Sequence, residues 1–281
     1  MSTIPTCKIK MVRSFLDMVR IYSMSEKRIV KVQISIPNEG HTECEAYANR
    51  LLMCFHLGML QLASKLGVKE YEGIKFDYPD DVVFEFIWST VGRVLTPIAR
   101  ERLTEWAIAG GVDYIFMIDD DMICPMDLFE KLFKHNVDVV APLAFTRRAP
   151  HYPVIYRVLE GYDNMTHQAY FVNKQINNYP KDTLVECDAV GFGAALIKMD
   201  VIKKMTRPYF MSTTAAGEDI WFCRQAKRSG ARIYMDTATK LGHMGMAPII
   251  TEVDYEREFK TDEYRKEQGE YKAKEKGENN V

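Results

Sequence analysis

The chain has 281 residues, 47% of them hydrophobic and 27% charged, and its formal net charge is −2. These values are typical of a globular protein and exclude a general polyanion binder, which would be more basic. A chain of this length can bury about three quarters of the surface that its unfolded form exposes, which is enough for one sizeable core. No linker or low-complexity stretch interrupts residues 30 to 250, so the sequence predicts one domain with added ends.

No segment of the sequence has the length and apolar character of a transmembrane helix. The longest apolar runs, Tyr114 to Ile118 and Val137 to Leu143, fall far short of the roughly 20 residues needed to cross a bilayer. Charged residues interrupt Met1 to Arg28, which therefore lacks the apolar centre of a secretory signal. The six cysteines form no C-x-x-C pair, which favours free thiols over a disulfide framework or a zinc site. We therefore expect a cytoplasmic protein.

In chain order, the first half alternates between strand and helix patterns. Ile29 to Ile36 alternates with period two and ends at Pro37-Asn38-Glu39-Gly40, which indicates a strand followed by a loop. The other elements are indicated by the spacing of apolar residues, by Thr96-Pro97 as a helix start and by glycines as helix ends. These are helices at Glu45 to Leu66, Thr96 to Gly110 and Pro125 to His135, and strands at Asp113 to Ile118 and Asp138 to Leu143. The order predicts an α/β fold with a mostly parallel central sheet.

After Arg147-Arg148 the pattern changes to shorter strands and loops. A helix from about Gly217 to Ser229 ends at Gly230. Short strands are predicted at Val154 to Arg157, Ala169 to Val172, Leu184 to Val190, Ala194 to Lys198 and Arg232 to Met235. From Glu252 onward charges dominate, which predicts a frayed helix or a disordered tail at the end of the chain.

Three adjacent carboxylates, Asp119, Asp120 and Asp121, follow directly after a predicted buried strand. Like charges so close raise one another's pKa unless a cation neutralises them, so a divalent ion is the natural partner. Mg²⁺ and Mn²⁺ accept one or two protein carboxylates and leave coordination places for phosphates and water. Ligands of open α/β sheets bind beyond the carboxyl ends of the strands, where this cluster lies. The cluster therefore predicts a Mn²⁺ or Mg²⁺ site that receives a diphosphate.

Other interpretations of the acidic cluster are a solvated turn and an N-cap for the helix near Pro125, but the preceding buried strand favours a site. A calcium loop is a further alternative, because Asp119, Asp121 and Glu130 occupy its first, third and twelfth positions. Cys124 stands where that loop requires glycine, and a strand precedes it in place of a helix. We therefore exclude the calcium loop.

A second acidic pair, Glu218 and Asp219, opens the later helix after Gly217. The helix dipole favours acidic residues in a first turn, so a purely structural role is an alternative. The small residues from Ser212 to Gly217 can bring these carboxylates close to a substrate. We predict that Asp219 is the general base that takes a proton from an acceptor hydroxyl. Glu218 would orient the acceptor or support the loop, and the two roles could be exchanged.

His243 lies between glycines, in Leu241-Gly242-His243-Met244-Gly245, where the backbone can approach closely. A lone histidine is more often structural, yet a neutral imidazole near Asp121 could complete the coordination of Mn²⁺. Gly191-Phe192-Gly193 does not fit a dinucleotide-binding loop, because no third glycine follows at the required spacing. We predict instead that Gly191 and Gly193 let the chain pass close to a sugar or an acceptor.

The motifs together, in this order, resemble GT-A glycosyltransferases of the family 2 type. The matching segments are Ile118-Asp119-Asp120-Asp121-Met122, Val190 to Ile197, Gly217-Glu218-Asp219-Ile220 and Gly242-His243. The resemblance covers about residues 30 to 248 and implies a Rossmann-like nucleotide-diphospho-sugar transferase domain. It implies transfer of a hexosyl or pentosyl group, with inversion, from a nucleotide-sugar donor, with a UDP-sugar favoured.

The resemblance also implies roles for individual residues. Pro37, Asn38 and Glu39 border the nucleotide base, and Asp119 and Asp120 contact the nucleotide or sugar. Asp121 binds the metal together with Asp119 and His243. Asp219 is the catalytic general base. Ile36-Pro37 departs from the family's usual aromatic residue before the asparagine and glutamate. The predicted contacts with the nucleotide base therefore rest on a weaker match than the predicted metal site.

The implied organisation is an N-terminal amphipathic extension at 1–28, a GT-A domain at 29–250 and a charged tail at 251–281. The domain divides into a nucleotide-sugar half, 29–148, and an acceptor half, 149–250. The amphipathic stretch from Met11 to Tyr22 contains Arg13 and Arg20. It predicts packing on the domain, with weak peripheral membrane contact as the alternative.

Two other functions stay open from the sequence. A nucleotidyltransferase would use the same aspartate and metal site, although no glycine-rich basic phosphate loop is present near the amino terminus. A catalytically silent sugar-binding protein would retain the fold without the activity. The acceptor is left open among a glycan, a protein and a modified nucleic acid, and so is the oligomeric state.

Overall fold

The computed structural model describes residues 27–38, 44–163, 165, 168–214, 216–244 and 249–259. Glu39, the predicted amphipathic stretch and most of the predicted charged tail lie outside these residues. The helices are α1 (Cys44–Leu66), α2 (Thr96–Gly110), α3 (Leu128–Phe133), α4 (Met199–Ile202), α5 (Glu218–Arg228) and α6 (Glu252–Phe259). The strands are β1 (Arg28–Asn38), β2 (Glu70–Tyr71), β3 (Ile74–Lys75), β4 (Val82–Gly92), β5 (Tyr114–Ile118), β6 (Met122–Ile123), β7 (Val139–Leu143), β8 (Ile155–Asp163), β9 (Gln168–Gln175), β10 (Leu184–Cys187), β11 (Ala189–Val190), β12 (Ala194–Lys198), β13 (Ile233–Lys240), β14 (Gly242–Met244) and β15 (Ile249–Ile250).

A seven-stranded sheet in the order β10-β13-β7-β12-β5-β1-β4 forms the centre of the described chain. β1 pairs in parallel with β4 and β5, and β7 pairs in parallel with β13. β12 is antiparallel to β5 and to β7, and β10 is antiparallel to β13. Five of the seven strands therefore share one direction, which confirms the predicted α/β fold with a mostly parallel central sheet.

Strand β5 is buried along its whole length, as its continuous apolar sequence predicts. Successive side chains of a strand point to opposite faces of the sheet. Ile115 and Met117 accordingly pack in the core cluster that contains Phe222 of α5, whereas Phe116 and Ile118 pack in the cluster that contains Leu57 of α1. Both faces of the sheet are therefore covered, and the polar chain that follows Ile118 emerges at the edge.

The helix boundaries differ in part from those predicted. Thr96 begins α2 as its first residue, but Leu95 holds the N-cap position and no side chain caps the helix. The predicted glycine end is present, since Gly111 adopts a left-handed conformation with φ of 59° and its N–H bonds to Ala107 and Ile108 carbonyls. Helix α3 is shorter than predicted, and strand β4 was not predicted.

Within the described residues, no helix has both the length and the apolar character needed to cross a membrane.

Helix α6 lies at the start of the predicted charged tail, 251–281, and packs onto the core. Tyr255 is buried, and its ring stacks on Phe145 with 5.1 Å between centroids. Glu252, at the start of the helix, accepts a hydrogen bond from the Tyr179 hydroxyl at 3.0 Å and pairs with Lys181 and Lys240. The packed part of the chain therefore extends beyond residue 250.

Candidate functional site

The three aspartates lie where β5 ends, beside the end of the parallel strand β1. Pro37 and Asn38, at the end of β1, come to the same edge of the sheet because parallel strands end on the same side. One cleft is lined by Pro37, Asn38, Val94, Thr96, Ala99, Asp119, Asp120 and Asp121. The structure thus brings most of the predicted nucleotide contacts together, and their binding to a nucleotide stays a prediction.

A short antiparallel ladder places His243 against Asp121. Strand β14 pairs with β6, so that His243 lies opposite Met122. The backbone N–H of Met244 donates to the Asp121 carbonyl oxygen at 2.9 Å. As a result, Nε2 of His243 lies 3.1 Å from Oδ2 of Asp121. Two predicted metal ligands that are 122 residues apart in sequence therefore meet in the fold.

The contact between His243 and Asp121 brings two electron pairs face to face. Nδ1 of His243 lies 2.7 Å from the carbonyl oxygen of Phe145, which can only accept, so Nδ1 carries the hydrogen. In the neutral ring Nε2 then presents a lone pair to the Asp121 carboxylate. Burial lowers the pKa of His243, and nearby Arg147 acts in the same direction, which disfavours the imidazolium form. A cation that both atoms contact, or a proton on Nε2, would relieve the repulsion between these two electron pairs.

The two oxygens of Asp121 have different surroundings. Its Oδ1 atom is buried and has no hydrogen-bond partner among the described residues. The guanidinium of Arg147, which is half exposed, contacts Oδ2 and supplies positive charge there. No group of three or more His, Cys, Asp or Glu side chains in the described ranges is arranged around a metal position. A carboxylate is a ligand that Mn²⁺ and Mg²⁺ prefer, and both ions leave other positions to phosphate and water.

Arg100 is a residue of the candidate site that we did not predict. It lies on α2 and is only 2% exposed. Its Nη2 atom donates to Oδ1 and Oδ2 of Asp119 at 2.7 and 2.9 Å, and its Nη1 atom donates to Oε1 of Glu218 at 2.5 Å. Nη2 also lies 3.2 Å from the carbonyl oxygen of Phe192. One guanidinium therefore joins the aspartate cluster, the second acidic pair and the glycine motif.

The buried charges around Arg100 shift one another's pKa. Burial opposes the charge of Arg100, but the carboxylates of Asp119 and Glu218 outweigh it and raise its pKa. Burial raises the pKa of Asp119 to about 6, even though Arg100 favours the ionised carboxylate. Both oxygens of Asp119 face Arg100, whereas Asp121 faces His243, so a metal contact of Asp119 stays a prediction.

A signal for Arg100 was present in the sequence. The buried residues of α2 are Ala99, Arg100, Leu103, Thr104 and Ala107. These positions follow helical spacing, and the arginine is the single charged residue among them. A charged side chain on the buried face of a helix needs a partner of opposite charge, so its position pointed to a buried carboxylate.

The second acidic pair lies at the start of α5, close to Arg100. Glu218 is held by Arg100 and also accepts a hydrogen bond from the Ser212 hydroxyl at 3.3 Å. Oδ1 of Asp219 accepts from the N–H of Ile220 at 2.7 Å. Burial raises the pKa of Asp219, although Arg100 lowers it. Glu218 is therefore fixed by two side chains, whereas Asp219 is a carboxylate whose proton affinity is increased.

The two glycines of the Gly191-Phe192-Gly193 motif are explained by packing. A Cβ atom at Gly191 would lie 2.8 Å from Cβ of Val154, and one at Gly193 would lie 2.8 Å from Cε of Met122. The N–H of Asp119 donates to the Gly193 carbonyl oxygen at 2.9 Å. The glycines thus let the chain lie close to the core and to Asp119, and their contact with a sugar or an acceptor stays a prediction.

Comparisons with known proteins yield distant structural likenesses. No protein-family model matches the chain, and no curated protein matches its sequence. The crystal structure of A197 from STIV aligns with 76% of this chain and 85% of its own, at 18% identity and a TM-score of 0.43. GalNAc-T7 with UDP, GalNAc and Mn²⁺ aligns with 76% of this chain and 43% of its own, at 11% identity and a TM-score of 0.44. UDP-glucose pyrophosphorylase complexed with UDP-glucose aligns with 76% of this chain and 93% of its own, at 8% identity and a TM-score of 0.38.

Proposed function

We propose that the protein is a metal-dependent glycosyltransferase with a family 2-like GT-A domain. It moves a hexosyl or pentosyl group from a nucleotide-diphosphate sugar, with a UDP-sugar favoured, to an acceptor hydroxyl. The observation that carries the proposal is the contact of 3.1 Å between Nε2 of His243 and Oδ2 of Asp121 at the carboxyl end of β5. Two facing electron-pair donors at the edge of a parallel sheet, next to a cleft, suit a cation that receives a diphosphate.

Asp121 and His243 are the residues that would hold Mn²⁺ or Mg²⁺. The bound ion would supply Lewis-acid stabilisation of the charge on the departing diphosphate, worth several kcal/mol. The hydrogen bond from Nδ1 of His243 to the Phe145 carbonyl keeps the ring in the tautomer that can ligate. Arg147 contacts the same carboxylate and would be free to turn toward the phosphates.

The donor would lie in the cleft between the end of β1 and the start of α2. Pro37 and Asn38 line the part of the cleft where we place the nucleotide base, and Asp119 and Asp120 line the same cleft. Arg100 holds both oxygens of Asp119, so that the carboxylate is presented in one orientation to the ribose or sugar. Glu39, a further proposed contact, lies outside the described residues.

Asp219 is the proposed general base. Its raised pKa increases its affinity for the proton that leaves the acceptor hydroxyl as the hydroxyl oxygen attacks the anomeric carbon. The bond to the diphosphate oxygen breaks on the opposite face of the sugar, so the configuration inverts. Glu218, which Arg100 and Ser212 hold in place, would orient the acceptor.

The decisive experiment measures Mn²⁺ binding and donor turnover in the same variants. Electron paramagnetic resonance would report bound Mn²⁺ for the wild type, for Asp121→Asn and for His243→Ala. We expect each variant to weaken Mn²⁺ binding by 10-fold or more, on the order of the effect of losing a ligand or its support. Asp127→Asn is the matched control, because Asp127 is a surface residue paired with Lys131.

The products distinguish the proposed activity from its alternatives. With Mn²⁺ and a UDP-sugar, the wild type should release UDP, and Asp121→Asn should not. Release of pyrophosphate from a nucleoside triphosphate and a sugar phosphate would identify a nucleotidyltransferase instead. Mn²⁺ binding without turnover of any nucleotide sugar would identify a silent binding protein, and unchanged Mn²⁺ binding in both variants would remove the proposed metal site.

A further inference from the structure

Strand β4 forms one edge of the seven-stranded sheet. It has 11 residues and pairs with β1 along its whole length, and it has no second neighbour among the described strands. The strand at the opposite edge, β10, has only 4 residues and carries an ion pair between Glu186 and Arg232. Short and charged edges are means by which natural proteins prevent pairing with other chains. In contrast, β4 is long, and its apolar residues Ile87 and Trp88 are 43% and 40% exposed.

The hydrogen bonds of β4 show which of its residues point away from β1. Along a strand, the N–H and C=O of one residue point to one side and those of the next residue point to the other. The N–H of Phe84 donates to Oγ of Ser64 at 3.1 Å, and the N–H of Phe86 donates to Oε1 of Gln61 at 2.8 Å. Both acceptors belong to α1. The even-numbered residues of β4 therefore face the outer edge, and α1 covers that edge at Phe84 and Phe86.

The same alternation turns the backbone of Trp88 and Thr90 toward the outer edge. Both residues are exposed, and within the described ranges no hydrogen bond reaches the N–H or C=O of either one. The side chain of Thr90 points inward to β1, where its hydroxyl donates to the Ile36 carbonyl oxygen at 3.0 Å. Open backbone groups beside exposed apolar side chains are a template for the addition of another strand.

A second copy of β4 fits this edge in the antiparallel direction. With a two-fold axis at Ser89, Trp88 would lie opposite the partner's Thr90, and Thr90 would lie opposite the partner's Trp88. Each of these pairs would exchange both N–H···O=C hydrogen bonds, so the open backbone groups of the two residues would all be used. Trp88 and the partner's Trp88 would be diagonal neighbours on one face, about 7 to 8 Å apart and within reach of each other.

The charges along the edge are complementary in the same register. Glu85 and Arg93 are each four residues from Ser89 in the sequence. The two-fold axis therefore sets Glu85 opposite the partner's Arg93 and Arg93 opposite the partner's Glu85. Neither side chain forms an ion pair with another described residue. Opposite charges across two strands stabilise the pair and like charges destabilise it, so this register is favoured over one shifted by a residue.

We infer that the protein is a homodimer in which the two β4 strands pair in antiparallel register around Ser89. The pairing joins the two seven-stranded sheets into one continuous sheet. Because the same edge is used in both copies, the two-fold interface closes on itself and the assembly stops at the dimer. The short strand β10 forms both outer edges of the joined sheet.

Charge reversal in the full chain, measured by sedimentation velocity, tests the register. The wild type should sediment as a dimer. Glu85→Arg sets two positive charges against each other, and Arg93→Glu sets two negative charges, so each should weaken dimerisation by about tenfold or more. The double variant restores opposite charges and should restore the dimer. Leu159→Arg is the control, because Leu159 is a strand residue of another sheet, is 51% exposed and should leave the dimer intact.

Amide hydrogen exchange tests the position of the interface. When the wild type is dimeric, the N–H groups of Trp88 and Thr90 should be protected from exchange. Their protection should fall on dilution and in Glu85→Arg. The N–H groups of Phe84 and Phe86 are bonded within the chain and should stay protected in both cases, which makes them the internal control.

Three results would overturn the inference. A wild-type monomer in which the Trp88 and Thr90 amides exchange fast would show that the edge stays open. A monomer in which these amides are protected would assign the edge to another part of the same chain. A dimer in which they exchange fast, or one that the double variant fails to restore, would place the interface or its register elsewhere.

Discussion

Nη2 of Arg100 donates to both carboxylate oxygens of Asp119, at 2.7 and 2.9 Å, while Nη1 of the same guanidinium donates to Glu218. Asp119 and Glu218 belong to the two motifs that we assign to the donor and to the acceptor. Because Arg100 is almost completely buried, its positive charge interacts with both carboxylates in a region with little solvent screening. The relationship links the geometry of the two halves of the proposed site through a single side chain.

Replacing Arg100 should therefore damage both stability and activity. Arg100→Met leaves two partly buried carboxylates without their cation, which should lower the free energy of unfolding by about 3 to 5 kcal/mol. Arg100→Lys keeps the charge but cannot make both sets of hydrogen bonds, so an intermediate loss is expected. Urea unfolding with both variants provides the measurement. Arg102→Met, an exposed change on the same helix, is the control, and an equal effect of Arg102→Met would contradict the role of Arg100.

Asp219→Asn should separate proton transfer from metal binding. The amide oxygen of asparagine can still accept the hydrogen bond from Ile220 N–H, so the start of α5 should keep its structure. Without the base, the rate of sugar transfer should fall about 10²- to 10⁴-fold while Mn²⁺ binding stays unchanged. Transfer rates and Mn²⁺ titrations on the wild type, Asp219→Asn and Glu218→Gln provide the comparison. A wild-type rate in Asp219→Asn would move the role of base to Glu218.

The pH dependence of stability should report the buried pair of His56 and Glu130. Nε2 of His56 lies 2.7 Å from Oε1 of Glu130, and both side chains are almost completely buried. The hydrogen bond to Glu130 raises the pKa of His56 above its ordinary value of 6.5, although burial opposes the charge. A raised pKa in the folded state means that the pair stabilises the protein fully below about pH 6.5 and loses this contribution as pH rises through the folded pKa.

The corresponding measurement is the urea midpoint from about pH 5.5 to about pH 9 for the wild type and for Glu130→Gln. The wild type should lose stability over the upper part of this range. Glu130→Gln removes the charge that raises the pKa of His56, so its curve should be flatter. Parallel curves would show that the pair does not titrate as proposed.

Glu130 also faces α1 in this structure, which agrees with the exclusion of a calcium loop.

Two glycines of one motif should respond differently to alanine. A Cβ atom at Gly191 would lie 2.8 Å from the branched Cβ of Val154, which cannot move without the β8 region. A Cβ atom at Gly193 would meet Cε of Met122, the end of a flexible side chain. Gly191→Ala should therefore destabilise the protein by about 1 to 3 kcal/mol, and Gly193→Ala by less. Thermal unfolding of the two variants checks the order, and the reverse order would contradict the packing explanation.

Local patterns in the sequence determined most of the element order and the position of the aspartate cluster. The apolar run that becomes β5 and the period of the residues that become α1 are properties of neighbouring residues, so they can be read without the fold. Strand β4 was missed because its apolar run, Val-Val-Phe-Glu-Phe-Ile-Trp, does not alternate cleanly. Its exposed side chains lie at the edge of the sheet, where tertiary position decides which residues are buried.

Only the tertiary structure decided which charged groups of the site meet. Arg100 and Glu218 are 118 residues apart, and Asp121 and His243 are 122 residues apart. The pairing of β14 with β6 sets the second contact, and the packing of α2 on β1 and β4 sets the position of Arg100 in the first. Such contacts depend on the register of distant strands and on shared burial, which no local spacing encodes. The sequence by itself therefore determined the types of chemical group, and the fold determined their partners.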